Sequence, residues 1–369
     1  MKLGLFLMPL HNPKGDLPSL LREDRECIVY IDDLGYEEAW VGEHYCSITE
    51  PIPDPMQFMA SLIHVTKQIK FGTAVLNLPQ HHPVQVAGNA ALFDHLSNGR
   101  FLMGVGPGGL QSDMEMFGTK DIDRHKALIE SVKIIHMLWS QDPPYHFDGE
   151  FWKIHLEKTV DLEMGIGPII RPLQKPFPPL AVSAMSPRSA TAELAGSQDW
   201  GLISANFTPH LTAKSHWESY CKGAEETGQK PDRAKWRLAR SIVVTETQSE
   251  AEDYLANPDS SLRWYYHYLH HSFSAKNILQ VFKGSRDIPD AEVSVDNLLR
   301  DLVLCGPPMQ IVDRLIAIID DLGPLGGLLV SKIDWDNPDF QKRSYELLAQ
   351  KVMPKVRAYV EHSINHTIT

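Results

Sequence analysis

The chain has 369 residues, of which 43% are hydrophobic and 22% are charged, and its formal net charge is −12 at pH 7. This length and apolar content are sufficient for a large buried core, and a single α/β barrel can account for the whole chain. Lysines and arginines are scattered, so the sequence lacks the basic surface that nucleic-acid binding requires. The acidic excess is typical of a soluble surface, and we expect no nucleic-acid partner.

The first residues do not have the pattern of a signal peptide. Leu3–Met8 is apolar but brief, and His11-Asn12-Pro13 follows it directly, so a first strand is expected instead. No apolar stretch approaches the roughly 20 residues of a membrane-spanning helix. The four cysteines are isolated, which is typical of reduced thiols. We expect a cytoplasmic protein with no membrane partner.

Apolar β-type segments alternate with amphipathic helical segments along most of the chain. In residues 17–34, for example, Leu20, Ile28, Ile31 and Leu34 recur at helical spacing. The predicted strands are 3–8, 38–42, 69–76, 101–105, 179–184, 200–204, 238–245 and 326–333. The predicted helices are 17–34, 56–66, 84–96, 126–139, 189–195, 211–227, 309–322 and 339–360. Strands that alternate with helices in this number predict a parallel sheet closed into a (β/α)8 TIM barrel.

Two insertions interrupt this alternation, at about 140–178 and 249–300. The first contains six prolines and a β-rich piece, Tyr145–Trp152, with an Asp-Gly hairpin turn. The second contains an aromatic cluster followed by a polar tract. Long excursions in a compact domain are usually lids or binding loops. We therefore expect one domain over residues 1–369, with the second insertion as an active-site lid.

An acid and an imidazole stand together where the second predicted strand becomes a loop, in the sequence Trp40–Tyr45. In a parallel barrel, strand ends and the loops after them build the active site. His44 could transfer protons there near neutral pH, because small environmental effects move a histidine pKa across that range. Alternatively, His44 only caps the strand, and Glu43 is a buried structural acid.

Residues 104–109 match the G-x-G-x-x-G pattern of dinucleotide-binding sites. That site also needs a helix opening within the motif and an acid at the end of the next strand. Pro107 interrupts the motif, and Gln111–Met114 is expected to continue as a loop, so we discount this function. Glycines here instead allow the backbone to approach something flat or bulky.

Histidine clusters do not predict a metal site in this sequence. His267, His270 and His271 could place two imidazoles on one helix face, but no carboxylate lies at close ligand spacing. His81-His82-Pro83 is better explained as a loop before a helix that starts with proline. We expect no bound metal.

Several motifs, taken in order, resemble the luciferase-like flavin-dependent monooxygenases. They are Gly72–Pro79, His82–Val84, Leu92–Phe101, Phe117–Thr119, Arg124, Val182–Ser189 and Arg343–Pro354. Glu43-His44 falls where that family carries its paired acid and histidine. Within the family, Gly104–Leu110 and Gly42–His44 are most similar to the limonene-type monooxygenases.

The resemblance implies a barrel with an insertion lid and reduced FMN at the carboxyl ends of the strands. A separate flavin reductase would supply the reduced FMN, and O2 would convert it to a flavin hydroperoxide that oxygenates an organic substrate. His44 would handle protons beside this intermediate, and Glu43 could be the neighbour that orients it. Apolar residues in the lid favour a small apolar substrate. The family also implies a homodimer through the helices after strands two and three, although core packing equally explains the apolar segment Met56–Ile63.

The resemblance also assigns the cofactor-binding residues. Thr73, Ala74 and Val75 are where the family lays backbone against the isoalloxazine ring, sometimes through a non-proline cis peptide. Asn77 could hydrogen-bond to the ring or simply end the strand.

For the phosphate, the resemblance points to a loop that opens a helix and contains Met185, Ser186, Arg188 and Ser189. Amides, hydroxyls and an arginine there suit a dianion, although the serines could also be N-caps. Arg124, in the loop after the fourth predicted strand, is a second phosphate candidate, with an ordinary surface position as its alternative.

One departure separates this chain from the light-emitting members of the family. They carry a reactive cysteine and an arginine where this chain has Gly106-Pro107, which argues against light emission. Their second histidine is Tyr45 here. Two other functions stay open: a deazaflavin-dependent dehydrogenase or reductase on the same barrel, and a non-catalytic FMN-binding protein.

Overall fold

The computed structural model describes residues 1–8, 10–285, 287–334 and 336–367, with side chains up to His362. The strands are β1 (Lys2–Leu7), β2 (Glu38–Val41), β3 (Lys70–Thr73), β4 (Leu76–Asn77), β5 (Phe101–Gly106), β6 (Tyr145–Asp148), β7 (Lys153–Leu156), β8 (Leu180–Ala184), β9 (Gly201–Ser204), β10 (Trp236–Val244), β11 (Val303–Gly306) and β12 (Gly327–Ser331). The helices are α1 (Leu17–Asp33), α2 (Pro55–Ala60), α3 (Pro83–Leu96), α4 (Gln111–Met116), α5 (Arg124–Ser140), α6 (Ala190–Ser197), α7 (His210–Glu226), α8 (Gln248–Ala256), α9 (Ser261–Ala275), α10 (Val295–Leu302), α11 (Pro308–Leu322), α12 (Pro338–Leu347) and α13 (Met353–Thr367).

A closed parallel barrel forms the centre of the molecule. Its strand order is β1, β2, β3, β5, β8, β9, β10 and β12, and β12 pairs back to β1. Leu5 in β1, for example, lies opposite Ala39 in β2 and Val330 in β12. The predicted (β/α)8 barrel is therefore confirmed. The third predicted strand is divided, because the chain turns after Thr73 and resumes as β4, which pairs with β5.

The barrel interior is filled by side chains rather than left as a channel. Trp40 lies there in one apolar cluster with Phe6 and Leu102. A Cβ atom on Gly72 would lie 2.3 Å from the Trp40 ring, and one on Gly104 would lie 1.8 Å from a carbonyl oxygen of the neighbouring strand. Glycine is therefore required at both positions. Since the interior is packed, ligand space is expected at the strand ends and their loops.

An ion cluster around a buried acid lies at the amino end of the barrel. This lower cluster consists of Lys2, Glu38 and Arg237. Glu38 accepts hydrogen bonds from Arg237 at 2.6 and 2.7 Å, from Lys2 at 3.1 Å and from the Trp40 indole at 2.9 Å. Burial by itself raises the pKa of Glu38, but these donors outweigh it and lower that pKa to about 2. The Glu38 carboxylate is therefore ionised and paired at neutral pH.

Two predicted helices differ from the structure. The helix expected at 56–66 ends at Ala60, and the chain then turns into β3 where Asp32 accepts the backbone N–H groups of residues 67–69. The helix expected at 339–360 is interrupted by a π-helical segment at Leu348–Val352. Among the described residues, no helix has both the length and the apolar character for crossing a membrane.

The apolar segment after β2 packs inside this molecule. Met56, Met59, Leu62 and Ile63 are all buried, so core packing accounts for them without a second subunit. The predicted homodimer stays a prediction.

The first insertion contains the expected hairpin, in which β6 and β7 pair antiparallel. Its turn is anchored to α5, because the Glu130 carboxylate accepts the N–H groups of Glu150, Phe151 and Trp152. The hairpin is therefore attached to the barrel wall at its tip.

The second insertion contains α8, α9 and α10 and leads into β11, a strand that the sequence did not predict. β11 pairs with the carboxyl end of β10, where Ser241 lies opposite Val303. Within α9, Tyr265 and Tyr266 are fully buried, and their hydroxyls hydrogen-bond to Asn206 and Ser241. This insertion is therefore anchored over the ends of β9 and β10.

Candidate active site

His44 follows β2 at the carboxyl end of the barrel and lies between two acids. Its Nε2 is 2.8 Å from Glu50 Oε2, and its Nδ1 is 3.0 Å from Asp113 Oδ2. The other Asp113 oxygen accepts the backbone N–H groups of Tyr45 and Cys46, which fixes α4 against the loop after β2. We call His44, Glu50 and Asp113 the upper cluster.

The upper cluster determines the charge of His44. Burial by itself lowers the pKa of His44, but Glu50 and Asp113 outweigh it and raise that pKa to about 10. The His44 pKa therefore lies well above neutral pH, in contrast to the value near neutrality expected from the sequence. At pH 7 the imidazole is a cation that can donate a proton, and it is not a free base.

The second insertion reaches the upper cluster through one hydroxyl group. Tyr268, on α9, donates a hydrogen bond of 3.2 Å to Glu50 Oε1, while Glu50 Oε2 pairs with His44. The buried Glu50 carboxylate therefore connects the insertion to the histidine, because each of its oxygens bonds to one of them.

Glu43 does not share the partners of His44. Its carboxylate accepts the Asn77 backbone N–H at 3.1 Å and lies 3.0 Å from His81 Nε2. The Asn77 side-chain amide donates to the Glu43 carbonyl oxygen. Glu43 is thus the buried structural acid of the two alternatives. Asn77 links the loops after β2 and β3 through its bonds to Glu43, and its side-chain oxygen can accept a hydrogen bond from a ligand.

The chain between β3 and β4 forms a backbone platform at the barrel mouth. The peptide bond between Ala74 and Val75 is cis, as the resemblance implies for this position. Thr73 is buried and donates its hydroxyl to the Gly104 carbonyl oxygen at 2.7 Å. A Cβ atom on Gly106 would lie 2.4 Å from a Val75 methyl group. Glycine at the end of β5 therefore allows the close approach of these two strand ends.

The loop after β8 carries the predicted phosphate-binding residues. Met185, Ser186 and Arg188 are exposed, and Ser189 caps α6 by accepting the Ala192 N–H. Arg188 has a positive φ of 52°. Among the described residues, no acceptor engages the Arg188 guanidinium in a hydrogen bond or an ion pair. This donor set suits an anion with several oxygens.

Helix α7 holds this loop in place. The His216 Nε2–H donates to the Ser186 carbonyl oxygen at 3.0 Å, and the Ser215 hydroxyl oxygen accepts the Arg188 backbone N–H. Burial lowers the pKa of His216 to about 4, so this histidine is neutral. From α7, this histidine serves the loop as a fixed hydrogen-bond donor.

Two expectations about the segment after β5 need correction. Arg124 is the first residue of α5 rather than a loop residue, and its guanidinium donates to the Gly108 carbonyl oxygen at 2.5 Å. Gln111–Met114 belongs to helix α4 rather than to a loop. The short helix is held there because Asp113, in its first turn, bonds across to the loop after β2.

The sequence reasoning missed Glu50, Asp113 and Tyr268. Each is far from His44 in the chain or lies in a segment without a motif, so local pattern gave little signal. An acid soon after the end of a barrel strand was the one available indication for Asp113.

Comparison with known proteins agrees with this architecture. The family model described as luciferase-like monooxygenase matches residues 1–324. A 4-hydroxyprotoasukamycin monooxygenase from Streptomyces nodosus subsp. asukaensis is 32% identical over 95% of this chain and 91% of that protein. Limonene 1,2-monooxygenase from Rhodococcus erythropolis is also 32% identical, over 95% of this chain and 85% of that protein.

A solved structure shows the same fold. The oxygenating constituent of 3,6-diketocamphane monooxygenase from Pseudomonas putida, in complex with FMN, has a TM-score of 0.87 and is 24% identical. The alignment covers 96% of this chain and 98% of that one. Because the family model matches most of this chain, the chain belongs to the luciferase-like monooxygenase family.

Proposed function

We propose that this chain is the oxygenase component of a two-component monooxygenase, which uses reduced FMN and O2 to oxygenate a small apolar organic molecule. The observation that carries the proposal is His44, held as a cation by Glu50 and Asp113 at the end of β2. The neighbouring strand in the barrel, β3, ends in the cis peptide between Ala74 and Val75. A proton donor and a backbone platform for a flat ring therefore stand on adjacent strands.

The residues at the barrel mouth fit FMN in their chemistry. Backbone at Thr73–Val75 would hold the ring, and Gly106 leaves room for that backbone. Ser186, Arg188 and the amides at the start of α6 would hold the phosphate, since all are donors. When bound, the reduced cofactor would supply activation of O2 and transfer of one oxygen atom to the substrate. We further propose that a separate flavin reductase provides the reduced cofactor.

His44 would act as a proton donor in the reaction. Both of its ring nitrogens carry protons at neutral pH, because each faces a carboxylate. A cation at this position can stabilise negative charge on a reacting oxygen, and it can donate a proton to that oxygen once one ring N–H leaves its carboxylate partner. Glu50 and Asp113 orient the ring and keep the proton on it.

An exposed apolar rim favours an apolar substrate. Its members lie in the segments that follow β2 and β5 and are Tyr45, Ile48, Met116, Phe117 and Ile122. The Tyr45 and Phe117 rings pack edge to face, with centroids 4.9 Å apart. Apolar groups that remain exposed around a barrel mouth are a suitable surface for an apolar ligand.

The direct test supplies the purified chain with photoreduced FMN and labelled O2. Apolar ketones, alkenes and terpenes are screened by mass spectrometry for a product that contains one atom of the label. Labelled product without any added reductase supports the proposal. If no compound is oxygenated, and a reduced deazaflavin instead drives substrate reduction, the chain is a dehydrogenase or reductase. Cofactor binding without either reaction would indicate a non-catalytic FMN-binding protein.

Arg188→Ala tests the phosphate position. Loss of a hydrogen bond to a charged group costs about 1.5–3 kcal/mol, so we expect FMN affinity to fall roughly 10-fold to 150-fold. Riboflavin, which lacks the phosphate, should bind almost equally to both proteins. Arg171→Ala, in the first insertion, is the control and should bind FMN normally. Equal losses for FMN and riboflavin would remove Arg188 from the phosphate site.

A further inference from the structure

The solvent face of the β6–β7 hairpin gathers imidazoles and carboxylates. Side chains alternate across a strand, so one face of the hairpin packs on the barrel and the other meets water. Tyr145 and Ile154 are buried on the inner face. His146, Asp148 and His155 are exposed on the outer face. This outer face is remote in sequence from every residue assigned above to the flavin site.

The two histidines lie directly opposite each other in the antiparallel register. Their ring centroids are 4.3 Å apart. His146 Nδ1 is 2.9 Å from Glu157 Oε1, and the Asp148 carboxylate lies 2.9 Å from Nε2 of each histidine. His146, His155 and Glu157 can each offer one ligand atom, and these three atoms lie within 4.8 Å of one another.

We propose that His146, His155 and Glu157 form a binding site for a divalent transition-metal ion of the Zn²⁺ class. Imidazole nitrogen and carboxylate oxygen are ordinary ligands of Zn²⁺, and bonds of about 2.0–2.1 Å in a tetrahedron place ligand atoms about 3.3 Å apart. The three donor atoms must therefore approach by about 1.5 Å at most to meet that spacing. Exposed side chains on a fixed backbone can make this adjustment by rotation.

Asp148 has a different role in this site. Its carboxylate bonds to both histidines, which is the position of an outer carboxylate that orients metal-bound imidazoles. Such a partner selects which ring nitrogen carries the proton and leaves the other for the metal. Asp148 is therefore a positioning residue of the metal site.

The metal would fix the hairpin next to the predicted flavin platform. The Trp152 indole donates to Ser131 on α5, and its ring packs on His82 with centroids 5.2 Å apart. His82 is the N-cap of α3, the helix that follows β3 and β4. Cross-linking the two strands of the hairpin would hold Trp152 against this helix. The site is thus a structural metal site on the barrel wall.

The test is a calorimetric titration of the tag-free, full-length chain with Zn²⁺ after removal of metals by a chelator. Wild type should bind one equivalent. His155→Ala, which removes a ligand, should weaken binding by more than the 10–100-fold loss that is typical of an outer partner, whereas Asp148→Asn should fall within that range. Both residues are exposed, so circular dichroism should show an unchanged fold.

The control is His271→Ala on α9, where His267 and His271 form a pair of imidazoles with ring centroids 6.4 Å apart. This variant should bind Zn²⁺ as wild type does. Zn²⁺ binding that survives in His155→Ala, that disappears in His271→Ala, or that is absent from wild type would overturn the proposal. None of these results depends on flavin, so the outcome is independent of the proposed monooxygenase activity.

Discussion

The two ends of the barrel carry ion clusters of opposite design. In the lower cluster, a carboxylate lies among cations: Glu38 is 1% exposed and receives its hydrogen bonds from Arg237, Lys2 and Trp40. In the upper cluster, a cation lies between carboxylates: the His44 side chain is 20% exposed and faces Glu50 and Asp113.

The difference between the clusters lies in what each leaves available. The lower cluster moves the pKa of its acid down to about 2, and the upper cluster moves the pKa of its base up to about 10. Each cluster therefore fixes one charge state across the neutral range. The lower group is enclosed, which suits stability at the amino end of a barrel, whereas the upper group keeps an exposed edge at the end where barrels carry their chemistry.

The largest expected effect is on turnover. His44→Ala should lower kcat by about 10²–10⁴-fold, the usual contribution of a general acid, while FMN affinity changes little. Steady-state kinetics with supplied reduced FMN and equilibrium binding of FMN measure the two quantities. His64→Ala, at an exposed histidine outside the upper cluster, is the control. Wild-type turnover in His44→Ala would remove this residue from the mechanism.

Breaking the lower cluster should affect stability instead. Glu38→Gln leaves Arg237 and Lys2 without their carboxylate, and removing one partner of a buried ion pair costs about 3–5 kcal/mol. Denaturant unfolding measures this free energy, and the folded fraction should keep its kcat. Asp33→Asn, which breaks a surface pair with Lys67, should have little effect on stability. A stable Glu38→Gln protein with reduced kcat would contradict the assignment of stability to the lower cluster and of catalysis to the upper cluster.

The two clusters should lose their stabilising effect at opposite ends of the pH scale. The folded-state pKa of Glu38 is lowered from 4.5 to about 2, so its contribution is complete above pH 4.5 and is lost as the pH falls through 2. The folded-state pKa of His44 is raised from 6.5 to about 10, so its contribution is complete below pH 6.5 and is lost as the pH rises through 10.

Unfolding free energies measured against pH would test this pair of limits. Glu50→Gln should remove part of the alkaline dependence, on the order of 2 kcal/mol, because His44 loses one of its acids. The acidic dependence should stay as in wild type. An alkaline limb that is identical in the two proteins would show that Glu50 does not hold the proton on His44.

The smallest expected effect concerns the contact between the second insertion and the upper cluster. Tyr268→Phe removes the hydroxyl that bonds to Glu50, at a cost of about 1 kcal/mol, so amides of α9 should exchange hydrogen roughly 5-fold faster. Tyr359→Phe removes a similar hydroxyl bond to Asp320 on α11 and should leave α9 unchanged. Unchanged exchange in Tyr268→Phe would show that this bond does not anchor the insertion.

Local pattern was sufficient for most of the barrel. Each predicted strand is present because apolar runs and turn residues act over a few neighbouring positions. The strand β11 was missed because it is a four-residue edge strand directly after an insertion. The histidine pair on the hairpin was also missed, since His146 and His155 meet only through the antiparallel register.

The candidate site was predictable only in part. His44 could be located because a strand end in a barrel is a position with a known use, and Ala74–Val75 could be located by resemblance. The charge of His44 could not be predicted, because Asp113 lies 69 residues away along the chain. Glu43, the neighbouring acid in sequence, turned out to bond to Asn77 and His81 instead.

The sequence by itself determined the alternating strands and helices, the barrel and the family, because these depend on the order and spacing of nearby residues. The tertiary structure decided which acids face His44, where the Arg188 backbone and the Arg124 guanidinium are hydrogen-bonded, and which face of the hairpin carries the proposed metal-binding side chains. Those choices depend on electrostatic contacts between distant segments, and such contacts exist only after the barrel has closed.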